Sequence, residues 1–296
     1  MSLEGEASLT EPLPPKRRTA WRALRRDAMG MTGLVLVAGF ILMALLAPYI
    51  APYDPAKIDV LNKFQTPSWD HWLGTDHLGR DLLSRIIWGA RVALGIAITA
   101  TGIAGAIGLL LGLVAGFGPR WLDALLVLLF DSFSSLPMIM FALAIITVLG
   151  PGTETLILVI VIVSIPGYAR LIRAQTLSLA GADYILAERS IGASPLRIVL
   201  RHLLPNVVGP LVILLSMDIP VVIMLEAGLS YLGFGVKPPT PSWGNILYDG
   251  YTSLRSAPHM VIVAGIPLVF CTIGFTFLGE GLRDALDPKL KLRVVR

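Results

Sequence analysis

Three acids interrupt otherwise uncharged apolar runs: Asp131 within 124–154, and Asp218 and Glu226 within 207–229. An Asp at the centre of a bilayer costs roughly 2.5 to 3.5 kcal/mol on insertion scales, so such a group rarely faces lipid. Lining a route, it could meet a cation, a proton or the ammonium end of a solute; it could equally pair with a partner chain for assembly. Ser132, Ser134, Ser135 and Pro137 beside Asp131, and Pro220 beside Asp218, predict local irregularity that opens backbone to a cavity. Asp218, Asp131, Met217 and Glu226 are the candidate pathway residues.

Other chemistries find little here. His71, His77, His202 and His259 lie outside the apolar runs or at an edge, and none stands in an H-E-x-x-H pattern. Cys271 is the single cysteine, so no intrachain disulfide can form. None of the six lysines follows a glycine, which removes a G-x-x-x-x-G-K-[ST] phosphate loop. Catalytic, cofactor-binding and metal-binding residues are therefore expected to be none.

The elements that hold these acids are membrane spans. Of 296 residues 55% are hydrophobic, and the mean hydropathy of +0.74 excludes an ordinary soluble domain. A bilayer core about 30 Å thick needs about 20 apolar residues per helix. Runs at 31–53, 92–119, 124–154, 155–169, 207–229 and 260–279 predict six helices, the fourth extending through its flanks. The first begins too far along, and is too long, for a cleaved signal peptide. Lys and Arg concentrate on one side, 17 of 24 in alternate segments that include both ends of the chain. That side is cytoplasmic by the positive-inside rule and is called inner here. The net charge of +4 reflects this asymmetry and implies no nucleic-acid partner.

The predicted organisation is a flexible segment at 1–18, an interfacial helix at 19–30, a six-helix membrane domain at 31–281 and a cytoplasmic tail at 282–296. Within the domain lie outer segments at 54–88 and 230–258 and an inner loop at 176–205. Trp69 and Trp72 are placed to mark the interface, and Gly233, Gly235, Pro238, Pro239 and Pro241 argue against regular helix in the second outer segment. Gly108, Gly112 and Gly116 form a packing face for a helix of this chain or of a partner.

The inner loop contains YILAERSIGASPLRIVLRHLLPN at 184–206. Asp183 can cap a short helix that Gly192 ends in a left-handed conformation, and Ser194 can cap a second with Pro195 at its first position. Leu196, Val199, Leu200 and Leu203 make one stripe on that second helix, which Pro205 is expected to stop. Physics alone leaves two readings open, a surface hairpin that joins spans and a corner that docks another protein.

That segment resembles the EAA loop of ABC-importer permeases, in the version of the dipeptide, oligopeptide and nickel importer group. APYDP at 51–55, HWLGTDHLGRDLLSR at 71–85, PGYARLIRAQTLSL at 166–179, EAGLSYLGFGVKPPTPSWGN at 226–245 and GEGLRDALDPKL at 279–290 resemble the C-type subunit of the same group. Where the family loop reads Glu-Ala-Ala this chain has Leu186, Ala187 and Glu188, so the family's glutamate contact has no counterpart at Leu186.

The resemblance implies an all-α integral membrane protein with the type I ABC-importer permease fold in the bacterial cytoplasmic membrane. It implies ATPase docking through Tyr184, Ala187, Glu188, Arg189, Gly192, Ala193 and Ser194. It also implies a second homologous permease, two ATPase subunits that bind the ATP and Mg, an extracytoplasmic solute-binding protein, and surrounding membrane lipid. Peptides are the expected solute, since no His or Cys cluster with metal-ligand spacing occurs in the spans. A nickel or other small-solute permease, and an ion-coupled carrier without an ATPase, are the rival readings.

Overall fold

The computed structural model describes Trp21 and residues 24–286; the expected segment at 1–18, most of the helix expected at 19–30, and the tail from 287 lie outside the described residues. Among the described residues ten α-helices carry the architecture: α1 Ala28–Ile50, α2 Leu82–Phe117, α3 Arg120–Ser134, α4 Met138–Leu149, α5 Thr153–Ala180, α6 Asp183–Ser190, α7 Pro195–Ile198, α8 Leu204–Tyr231, α9 Trp243–Thr252 and α10 His259–Leu286. No strand occurs among the described residues.

Among the described residues, five helical spans are long and apolar enough to cross a membrane, and α3 with α4 makes a sixth crossing if that bent pair is one span. The third expected span is thus broken, by 87° between Ser134 and Met138. Proline supplies the reason: Pro137 has no N–H to donate back to Phe133 and restricts Leu136 before it. The fourth run grows as expected, into the 28 residues of α5.

Three local expectations are corrected. Asp27 accepts from Met29 N at 3.2 Å and Gly30 N at 2.8 Å, so α1 starts at Ala28 and the interfacial helix does not run to residue 30. Pro205 does not stop α7, because a π-helical turn over Val199–Leu203 joins it to α8 as one span, Pro195–Tyr231. Pro205 stands just past the junction of the π turn and α8, inside the continuous helix, and leaves the preceding turn one donor short. The second outer segment is irregular over 232–242, resumes as α9, whose N-cap Ser242 accepts from Gly244 N at 3.2 Å, and is irregular again over 253–258.

The core is built around α2. A Cβ on Gly108, Gly112 or Gly116 would lie 2.6 Å from the side chain of Tyr168, Ile172 or Thr176 respectively, so the glycine face meets α5 of the same chain. Close backbone approach holds helices together where lipid supplies no hydrophobic drive. On the other side of α2, Trp243 is fully buried, its Nε1 donates to Ile86 O at 3.0 Å, and α9 is thereby moored to the membrane domain.

Candidate functional site

The inner corner is built by helix-end chemistry. Gly192 has φ +82°, Gly192 N donates to Arg189 O and Ala193 N to Glu188 O, both at 3.0 Å. This paired pattern closes α6 in a left-handed turn. Ala182, not Asp183, occupies the N-cap position, and Asp183 is the first helical residue. Ser194 caps α7 by accepting from Arg197 N at 3.4 Å.

Ile185 and Ile198 are fully buried and anchor the hairpin in the main core. The guanidinium of Arg189 lies 4.9 Å over the Phe117 ring, and His202 Nε2 is 3.4 Å from Glu188 Oε1. Held from behind, the corner presents Tyr184, Ala187, Arg189, Gly192 and Ser194 exposed, with Glu188 and Ala193 half-buried. Leu196 and Leu200 were expected to pack but are exposed, while Ile198 and Leu203 are buried. The π turn adds a residue to the repeat and rotates the buried stripe. With Ile191 at 80% exposure, the result is an apolar tip on the inner face.

Asp218 is half-buried midway along α8 and faces Tyr168 of α5, whose buried hydroxyl lies toward it outside ordinary hydrogen-bond geometry. Pro220 is buried and the helix continues through it, leaving the Ser216 carbonyl without its usual donor. The polarity comes from that freed carbonyl and from Asp218, with no break in the helix. Met217 packs on Gly279 of α10. Asp131 is exposed near the α3–α4 bend, its Oδ1 3.8 Å from Arg170 Nη2, and the same guanidinium donates to Phe130 O at 3.0 Å and to Ser134 Oγ.

Glu226 is not brought to any surface: it is fully buried, and its Oε1 accepts from Ser230 at 2.8 Å and Ser242 at 2.7 Å. It ties the end of α8 to the start of α9. Gly233, with φ +84°, closes α8 by the same turn as Gly192, through Phe234 N to Leu229 O at 2.9 Å.

One site went unforeseen. Within 71–85, Arg80 Nε donates to Asp76 Oδ2 at 2.6 Å, Arg85 Nη1 donates to the same oxygen, and both guanidiniums reach Asp249 Oδ2 of α9, at 3.3 and 3.5 Å. Burial pushes the Asp76 carboxyl up, but Arg85, Arg80 and the N–H groups of Arg80 and Leu78 outweigh it and hold the group below the usual carboxylate range. Burial dominates at Asp249 and pushes its carboxyl up against the pull of Arg85, His77 and Arg80. Asp76, His77 and Asp249 offer ligand atoms within 4.8 Å of one another. Two guanidiniums on Asp76 repel a divalent cation there. The alternation of acid and base in DHLGRDLLSR was the visible signal, and its distant partner Asp249 was not visible.

Residues 108–292 match the family described as binding-protein-dependent transport system inner membrane component, and residues 17–67 match the N-terminal TM domain of oligopeptide transport permease C. The chain belongs to this family of ABC-importer permeases and is a multi-pass inner-membrane protein. It is 37% identical over 274 residues to the dipeptide transport system permease protein DppC of Alkalihalophilus pseudofirmus, covering 93% of this chain and 90% of that one. It is 42% identical over 272 residues to the glutathione transport system permease protein GsiD of Escherichia coli O157:H7, covering 92% and 90%. In fold it is similar to a chain of the MetNI methionine ABC transporter in an inward-facing conformation, with TM-score 0.57, 19% identity, and coverage of 73% of this chain and 98% of that one.

Proposed function

We propose that this permease carries short peptides inward across the membrane by alternating access, paired with a second related permease and fed by a solute-binding protein at the outer face. Two ATPase subunits bind the ATP and Mg and drive it through the corner at 184–205. The relatives named for dipeptide and glutathione transport support a small peptide as the solute.

One observation carries the coupling. The second arm of the corner and Asp218 share one continuous span, Pro195–Tyr231, about 55 Å long at helical rise, and α6 joins its inner end through the turn at 191–194. An ATPase that seats on Tyr184, Ala187, Arg189 and the apolar tip can tilt this helix as a lever. The tilt moves Asp218 at mid-depth and the Glu226 tie near the outer end together. ATP must favour one state over the other by a few kcal/mol for such a lever to switch populations.

The test is uptake of a labelled dipeptide into proteoliposomes holding this chain, its partner permease, the ATPases and the binding protein. Uptake should require ATP and persist when ionophores collapse ion gradients. Gradient-driven uptake without ATP would establish the ion-coupled carrier instead, and ATP-driven uptake of nickel but not peptide would overturn the solute.

A further inference from the structure

Between the end of α8, the loop at 233–240, α9 and the turn at 77–80 lies an outer-face cavity of about 380 Å³. That volume falls within the range of about 300 to 1,000 Å³ common to small-molecule sites. Its wall includes His77, Arg80, Arg85, Lys237 and Asp249.

The charges in this wall do not cancel. Arg80 and Arg85 are matched by Asp76 and Asp249, and Lys237 has no ion-pair partner among the described residues. Asp76 is fully buried and does not line the cavity, Arg80 and Arg85 reach the wall with side chains only 7% and 3% exposed, and Lys237 is the exposed cation beside it. Arg85 has a side chain only 3% exposed, yet its Nε has no hydrogen-bond partner. A buried donor left unmet is costly and marks a place where an acceptor is wanted.

The surrounding backbone is fixed, as a preformed site requires. Val236 N donates to Ser230 Oγ at 3.1 Å and Asn245 Nδ2 donates to Val236 O at 2.7 Å, which sets the position of Lys237 beside the cavity. Ser230 in turn donates to Glu226, so the lever helix and the cavity wall share one hydrogen-bonded chain.

We propose that this cavity is an outer holding site for the carboxylate end of a short peptide, held by Lys237 with the positive field of the buried Arg80–Arg85 pair behind it. The proposal rests on the peptide reading above and gives the solute a first contact on this chain. Because the wall is tied through Ser230 and Glu226 to the lever helix, tilting that helix reshapes the site and releases the carboxylate into the route.

The experiment uses the assembly of permeases and ATPases in lipid nanodiscs, without the binding protein, and follows line broadening in the NMR spectra of added alanyl-alanine, N-acetyl-alanyl-alanine and alanyl-alanine amide. Both carboxylates should broaden, with the amide about tenfold weaker, the loss of one charge-assisted hydrogen bond. Lys237→Gln should weaken the two carboxylates toward the amide and leave the amide itself unchanged, with integrity checked by co-elution of the partner chains. Lys237→Arg should restore them. Equal broadening by acid and amide, no broadening at all, or indifference to Lys237→Gln would overturn the site. If dipeptide uptake through the complete unaltered system continues in those cases, only the site has failed; if that uptake is also absent, the peptide reading has failed with it.

Discussion

Arg173 on α5 grips Asp123 on α3 with two parallel contacts, Nε to Oδ1 at 2.5 Å and Nη2 to Oδ2 at 2.8 Å. A fork that meets a carboxylate in this way fixes direction as well as distance. Arg170 reaches Asp131 along the same helix pair, so α3 is pinned to α5 at two places before it bends into α4.

Both members of the Arg173–Asp123 pair are about a quarter exposed, which limits what the contact is worth. Asp123→Asn and Arg173→Gln should each lower stability by about 1 kcal/mol. In a double-mutant cycle on thermal unfolding in detergent, the double variant should lose no more than either single one. Simple addition of the two losses would show that the pair is not coupled.

At the α2–α5 seam the expectation is steric. Gly112→Leu forces atoms into the Ala169 carbonyl and the Ile172 side chain, and overpacking of this kind costs about 1–3 kcal/mol. Gly95, on the same helix, has nothing within 4 Å of where a Cβ would sit, so Gly95→Ala should be neutral or slightly stabilising. Recovery of monodisperse protein after heating separates the two outcomes; equal losses would mean that the glycine face is not what holds the helices.

These glycines also show what the sequence could and could not tell. Spacing announced a close-packed face, and Gly192, Ser194 and Pro195 announced the corner, because both are dictated by local backbone chemistry. The partner of the glycine face was not readable, since lipid and a second chain accept the same pattern. The π turn at Val199–Leu203 was invisible for a different reason: it is a shift of hydrogen-bond register that no residue type demands. Asp249 lies more than 160 residues from Arg80 and Arg85, and pairing over such a span is decided by tertiary packing. Glu226 read as a pathway acid only because burial inside the chain and exposure to a route look alike in sequence.

The outer ion cluster predicts unequal roles for its two acids. Asp76→Asn leaves two buried guanidiniums short of a counter-charge and should cost about 3–5 kcal/mol of local stability. Asp249→Asn removes a carboxylate that burial already disfavours, so its cost should be much smaller. Because the Asp76 pKa is depressed in the folded state, its contribution is complete above the unfolded value near 3.9 and is lost as pH falls through the lower folded value. Asp249 has the opposite sign, and its strain is relieved as pH falls through its raised value. Amide hydrogen exchange over residues 59–82 should therefore not accelerate between pH 7 and pH 5, beyond the intrinsic rate, and should accelerate at pH 7 in Asp76→Asn. Early loosening at pH 5 would contradict the assignment.

Gly192 separates backbone strain from contact. Nothing lies within 4 Å of a Cβ placed there, so any defect in Gly192→Val comes from forcing a β-branched residue to φ +82°. Solute-stimulated ATP hydrolysis and uptake should fall together in Gly192→Val while the chain still inserts. Gly192→Asn, which tolerates the left-handed region, should keep most of both. Normal uptake with valine would remove the corner from the coupling path.

Asp218 is the acid whose position best suits the route, and its test must separate charge from shape. Asp218→Asn keeps the volume and one acceptor but removes the negative charge that would meet a peptide's ammonium end. Uptake of a dipeptide with a free amino terminus should weaken by about tenfold, one lost charged contact, whereas an N-acetylated analogue that the binding protein still delivers should be affected less. Tyr168→Phe removes the hydroxyl that lies toward Asp218 without removing charge, so it should change uptake of both solutes by a similar, smaller factor. Assembly with the partner permease should survive both changes, since Asp218 meets Tyr168 of its own chain. If Asp218→Asn instead comes away from its partner in mild detergent, or slows the acetylated and free peptides equally, the acid serves assembly or packing and the route must be lined by other residues.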